Sequence, residues 1–129
     1  SGVSFVNCQI MATVIEGPEN TGSVKFTGSG FWPIPSTTYQ ALLQGHGQVS
    51  FENCHFSGWD LEGAGVPCIV AERGGLTVTG SDFMDEGKAH IRLEEGVESA
   101  IIATNRLRGG KRIENRADGE VQIGLNTER

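Results

Sequence analysis

Between Gly47 and Phe56 the chain reads Gly-Gln-Val-Ser-Phe-Glu-Asn-Cys-His-Phe, with Val49, Phe51, Cys54 and Phe56 at intervals of two, three and two residues. The same spacing returns as Val3, Phe5, Cys8, Ile10, as Val24, Phe26, Ser29, Phe31, and as Leu76, Val78, Ser81, Phe83. A looser copy is Ala100, Ile102, Asn105, Leu107, and a last start is Val121, Ile123. Within each copy apolar and polar residues alternate, as in Val49-Ser-Phe-Glu, which is the period-2 pattern of a strand with one buried face. A turn at Asn7, Gly28, Asn53 or Gly80 then redirects the chain into a two-residue second strand. A third strand precedes a glycine or a charged stretch at residues 41–45, 69–74, 91–96 and 113–116.

Aligned on Phe5, Phe26, Phe51, Val78, Ile102 and Ile123, the steps are 21, 25, 27, 24 and 21 residues. Steps of that size indicate one supersecondary unit per repeat, with insertions absorbed between conserved-length strands. No segment carries a helical stripe of three turns. Three short strands per repeat, stacked in register, predict an all-β parallel β-helix, a solenoid of about five to six coils. Residues 1–129 are expected to form a single β-helix domain. Because the chain begins directly on strand residues, and β-helix ends expose unpaired N–H and C=O groups, it is expected to be the C-terminal coils of a longer protein or to have that end covered by a partner.

Composition narrows the functional classes. Nineteen glycines suit a fold with three corners per coil. The formal net charge of −6 argues against a nucleic-acid-binding surface. No apolar run approaches the length of a membrane-spanning helix. Three cysteines are an odd number; Cys8 and Cys54 share one column with the Ser29 coil between them, about 10 Å apart and beyond disulfide reach. Cys8, Cys54 and Cys68 are read as buried thiols packing as small hydrophobes.

The repeat resembles that of the right-handed parallel β-helix of the pectate-lyase-like superfamily, over nearly the whole chain. That resemblance implies an extracellular, polysaccharide-associated protein. Gly45-His46-Gly47 and Arg112-Ile113-Glu114 also look like the Gly-His-Gly and Arg-Ile-Lys motifs of polygalacturonases, inverting hydrolases on this fold. The Asn-Thr-Asp and Asp-Asp carboxylates of that family have no counterpart here, since no Asp precedes Asp60 and Glu114 stands where the second motif has Lys.

Two insertions leave the same edge of the predicted solenoid. One spans residues 31–39 and carries Trp32; the other spans residues 57–67 and carries Trp59, Asp60 and Glu62. Indole faces stack on sugar rings, so Trp32 and Trp59, with Asp60, are the expected glycan-binding groups. On the second strands, Gln9, Gly30, His55, Asp82 and Arg106 align on the outward side. His55, Asp82 and Arg106 then form a vertical ladder able to pair charges or to hold a carboxylated sugar. Asp82, Asp85 and Glu86 could form a small Ca²⁺ site; no other cofactor is expected.

On the third strands the outward column is read as Val14, Leu42, Val70, Arg92 and Glu114. Its three aliphatic members predict a covered face, used for self-association or for docking another domain. The resulting expectation is a structural, carbohydrate-associated module that binds a polysaccharide or glycan without a complete catalytic set. The alternative is part of a polysaccharide lyase or glycoside hydrolase.

Overall fold

The computed structural model describes residues 1–129. All of its elements are strands, and every pairing between them is parallel. The first strands of successive coils are β1 (Gly2–Val6), β4 (Ser23–Thr27), β7 (Gln48–Glu52), the second halves of β9 (Ile69–Thr79) and β11 (Ile91–Ala103), and β14 (Glu120–Gly124). The second strands are β2 (Gln9–Ile10), β5 (Gly30–Phe31), β8 (His55–Phe56), β10 (Asp82–Phe83) and β12 (Arg106–Leu107). The third are β3 (Val14–Glu16), β6 (Ala41–Leu43), the first halves of β9 and β11, and β13 (Ile113–Asn115). The result is a parallel β-solenoid of about five turns.

The register reproduces the predicted columns. Val3, Val24, Val49, Leu76, Ala100 and Val121 are consecutive partners, as are Phe5, Phe26, Phe51, Val78, Ile102 and Ile123. All six phenylalanines lie in two inward files. Phe5, Phe26 and Phe51 stack with ring centroids 5.0 and 5.1 Å apart, and Phe31, Phe56 and Phe83 at 5.0 and 4.7 Å. The files meet edge to face, with Phe31–Phe51 at 5.6 Å and Phe51–Phe56 at 5.5 Å, an arrangement the ring quadrupole favours.

The corner between first and second strands is built from two further columns. Asn7, Gly28, Asn53, Gly80, Thr104 and Leu125 all adopt left-handed backbone, with φ between 55° and 62°. Asn and Gly are the residues that tolerate it. They alternate because the Asn side chain uses the space: a Cβ on Gly28 would lie 2.6 Å from Asn7 Oδ1, and one on Gly80 2.3 Å from Asn53 Oδ1.

The next column, Cys8, Ser29, Cys54, Ser81, Asn105 and Asn126, points inward and is polar at most positions. Each polar side chain accepts from the backbone N–H one coil earlier: Ser29 from Cys8, Ser81 from Cys54, Asn105 from Ser81, Asn126 from Asn105. Asn105 and Asn126 also donate to the carbonyls of Val78 and Ile102. Ser29, Ser81 and Asn105 are therefore buried with their hydrogen bonds satisfied, as buried polar groups must be.

Three expectations are corrected. Val14 pairs with Ala41 and packs inward, so the outward aliphatic column is Ile15, Leu42 and Val70. Val14 and Ile15 are both apolar, and a one-residue shift exchanges the two faces of a strand. Cys8 is half-exposed, whereas Cys54 and Cys68 are buried; all three are free. The third and next first strands run on as one strand in β9 and β11, with register irregularities near Leu93, Gly96 and Val97 in place of a break.

Candidate functional site

The loops that follow the second strands all leave one corner, as the two insertions predicted. The chain from Ser57 folds back on the preceding insertion, with Asp60 N–H donating to the Thr38 carbonyl and Leu61 N–H to that of Ser36. Within this corner the two tryptophans separate. Trp59 is fully buried; it stands edge-on to Phe83 at 6.2 Å, and its indole N–H donates to the Ala89 carbonyl. Its faces are closed to a sugar, because the longer insertion reaches far enough to tuck the ring over the end of the Phe83 file. Trp32 is half-buried and keeps part of its surface open.

Asp60 is also structural. It is buried, holds left-handed backbone, and accepts from the N–H groups of Ala64 and Gly65, closing its own loop. The Lys88 ammonium lies 5.2 Å over the Trp59 ring, donates to the Trp59 carbonyl and pairs with Asp85 at 2.7 Å. Asp85 also accepts from Gly58 N–H at 2.8 Å. Lys88 and Asp85 thereby clamp the coil-3 loop to the coil-4 loop. A polar cleft of about 270 Å³ remains between them, with Leu61, Glu86, Lys88 and Arg112 at its walls.

The outward ladder is present in register: Gln9, Gly30, His55, Asp82 and Arg106 are consecutive partners. Its chemistry differs from the expectation in one respect. Both Asp82 oxygens are taken by Arg108, Nε at 2.9 Å and Nη2 at 2.7 Å, while Arg106 stays exposed. This bidentate bond raises the Arg108 guanidinium above its already high ordinary value. Arg108 is one strand period beyond Arg106 and so on the same face, the signal that could have identified it. With Asp82 held by Arg108 and Asp85 by Lys88 and Gly58, the expected Ca²⁺ set of Asp82, Asp85 and Glu86 does not converge, and no three such ligands do elsewhere. Likewise, exposed His46 sits at the corner between β6 and β7, whereas Arg112 leads into β13 from a different corner, after the second strand, so the two polygalacturonase-like motifs do not meet.

Gly30 is the feature the sequence did not single out. A Cβ there would fall 2.3 Å from His55 Nε2 and 2.6 Å from Gln9 Oε1, so both side chains converge over its bare backbone. Trp32 follows two residues later, where its N–H still donates to the Ile10 carbonyl, so strand alternation puts it on the Gly30 side. Its own coil neighbours there are exposed Met11 on one side and Ser57, then exposed Met84, on the other. A shallow face results, with one indole and a line of hydrogen-bonding groups formed by Gln9, His55 and the Asp82–Arg108 pair.

Beneath the corner lies His90, fully buried, its Nδ1 accepting from Arg112 N–H at 3.1 Å and its ring edge-on to Phe83. Burial pushes its pKa below the ordinary histidine value of 6.5, so it is neutral at pH 7. Burial likewise pushes the Cys68 thiol well up. Neither group reaches the outer face. No family model, curated protein or solved structure matches the chain.

Proposed function

We propose that this protein is a structural, extracellular β-helix module that binds a neutral polysaccharide on the outer face of its second sheet. The observation that carries the reading is Trp32 set beside the bare backbone of Gly30. The Gln9 and His55 side chains lie over that notch, and the Asp82–Arg108 pair sits further along the same column. An apolar ring face flanked by aligned donors and acceptors suits the two sides of a sugar, its C–H surface and its hydroxyls. The Arg108 guanidinium in this column is not free to hold a carboxylate, since Asp82 binds it, and the chain is net negative. Both facts favour hydroxyls over carboxylates as the groups recognised.

The coil repeat's likeness to the pectate-lyase-like superfamily supports a polysaccharide partner. The reading includes no catalysis, because the carboxylates nearest this face are engaged in the Asp82–Arg108 and Asp85–Lys88 pairs. A glycan array followed by titration calorimetry tests it. Binding of a neutral oligosaccharide is expected, weakened at least tenfold by Trp32→Ala and retained in Arg106→Ala, whose site lies two coils beyond His55. A chain that binds nothing on the array, or whose affinity ignores Trp32→Ala, refutes the proposal and leaves a purely structural stack of coils.

A further inference from the structure

Of the three histidines only His90 is fully buried. It immediately precedes β11, and the register sets it between Cys68 of the coil before and Arg112 of the coil after. Its backbone N–H donates to the Arg112 carbonyl at 2.9 Å, and its ring Nδ1 accepts from Arg112 N–H at 3.1 Å. That N–H has no other acceptor, so the ring stands in for a backbone carbonyl. With Nδ1 accepting, the ring proton is on Nε2, which is buried without a partner. The ring is wedged edge-on against Phe83 at 5.4 Å.

The amide that His90 holds closes a turn. Residues 108–112 link β12 to β13, with Gly109 and Gly110 in the middle at φ 83° and 108°. The turn packs on the coil before it: a Cβ at Gly109 would lie 2.6 Å from Gly87 N, and Arg112 Nη1 donates to the Gly87 carbonyl at 3.1 Å. Its first residue, Arg108, makes the bidentate bond to Asp82 on the outer face of the second sheet. One end of the turn is thus tied to the core through His90, and the other to the outer face through Asp82.

The surroundings of His90 oppose a second ring proton. Arg112 lies on the following coil, and Lys88 is two residues earlier in the chain. Of the acids in the loop after β10, Asp85 is taken by Lys88 and Gly58 N–H, and Glu86 is exposed. Cys68 behind the ring is a neutral thiol. A proton on Nδ1 would set two donors, Nδ1–H and Arg112 N–H, against each other and place a cation in an apolar core. The closed corner excludes that proton; an opened one, with Arg112 moved off and the ring wetted, accepts it.

We infer that His90 is an acid-sensitive latch on the 108–112 turn: its protonation releases the Arg112 amide, lets the turn lift about Gly109 and Gly110, and slackens the Arg108–Asp82 pair on the outer face. Burial holds the closed ring below the ordinary histidine value of 6.5, while the opened ring titrates near it. Opening therefore grows as the pH falls below 6.5, by up to about tenfold per pH unit. Any consequence for a bound glycan rests on the function proposed above; the latch itself does not.

Amide hydrogen exchange followed by nuclear magnetic resonance at about pH 7, 6 and 5, with each rate divided by its intrinsic rate at that pH, tests this without a ligand. The protection of the Arg112 amide should fall about tenfold from pH 7 to 5, while the amides of β7 keep theirs. The Arg108 Nε–H resonance, sharp at pH 7, should broaden over the same range. In His90→Gln, which does not titrate, the Arg112 protection should be independent of pH, whatever its level. Asp82→Asn removes the outer tie alone and should leave the pH dependence of Arg112 in place. Arg112 protection that is unchanged at pH 5, an equal loss in every strand, or a pH dependence that survives in His90→Gln would each overturn the inference. So would an Arg108 signal unmoved while Arg112 opens. Because no glycan is used, a failure here and a failure on the glycan array are separate results.

Discussion

Replacing Phe51 by Ala is the most direct probe of how the coils are held together. The ring is 0% exposed and lies at the crossing of both aromatic files: 5.1 Å from Phe26 in its own file, and 5.6 and 5.5 Å from Phe31 and Phe56 in the other. Losing its burial costs about 2–3 kcal/mol in transfer free energy. Rigid strands on every side keep the site from collapsing, so a cavity term brings the total to about 3–5 kcal/mol. The edge-to-face pairs are worth about 1 kcal/mol each beyond their area, which places the expected loss in the upper half of that range. Against a domain stability of about 5–15 kcal/mol this is large. Urea unfolding followed by far-ultraviolet circular dichroism, at one fixed protein concentration, measures it. A double-mutant cycle with Phe56→Leu should return a coupling of about 1 kcal/mol. A loss below about 1.5 kcal/mol for Phe51→Ala, with an unchanged urea slope, would refute interlocked files as the source of stability.

Three further outcomes follow from other columns. Thr104 is a β-branched residue at φ 62°, where an L side chain costs about 1–2 kcal/mol. Thr104→Asn keeps an acceptor for Gly80 N–H and should stabilise by about 0.5–1 kcal/mol, seen as a rise of a few degrees in Tm. Buried His90 resists protonation, so the unfolded chain takes up a proton below about pH 6.5 that the folded chain refuses. Its contribution is complete above that pH and declines as the pH falls below it; thermal melts of His90→Gln should show a shallower acid decline than the parent. Cys54 and Cys68, buried and with raised thiol pKa values, should stay unmodified by a thiol reagent in the native protein and react once it is unfolded. Rapid native labelling of either would contradict the packing.

The sequence alone determined the solenoid. Period-2 alternation names the buried face of each strand, and the repeating two-three-two interval places the corner at Asn7, Gly28, Asn53 and Gly80. Both signals are local and recur in every coil, so one weak copy, such as that at Ala100, is carried by its neighbours. The inward files, the order of the coils and the outward alignment of Gln9, Gly30, His55, Asp82 and Arg106 follow from them.

Only the tertiary structure decided what the irregular segments do. The third strand at Val14 and Ile15 holds two adjacent apolar residues, so nothing local distinguishes inward from outward, and the pairing with β6 settled it. Trp32 and Trp59 look equivalent as residues following a second strand. Insertion length and the Phe83 file sent Trp59 into the core and left Trp32 at the surface. Asp82 had two arginines within reach in sequence, and the reach of Arg108 across one coil chose between them. Gly30 carries no side chain, so its value as a notch exists only through Gln9 and His55 from the coils on either side. A repeat specifies its own stacking; what a loop or a missing side chain contributes is set by neighbours more than twenty residues away.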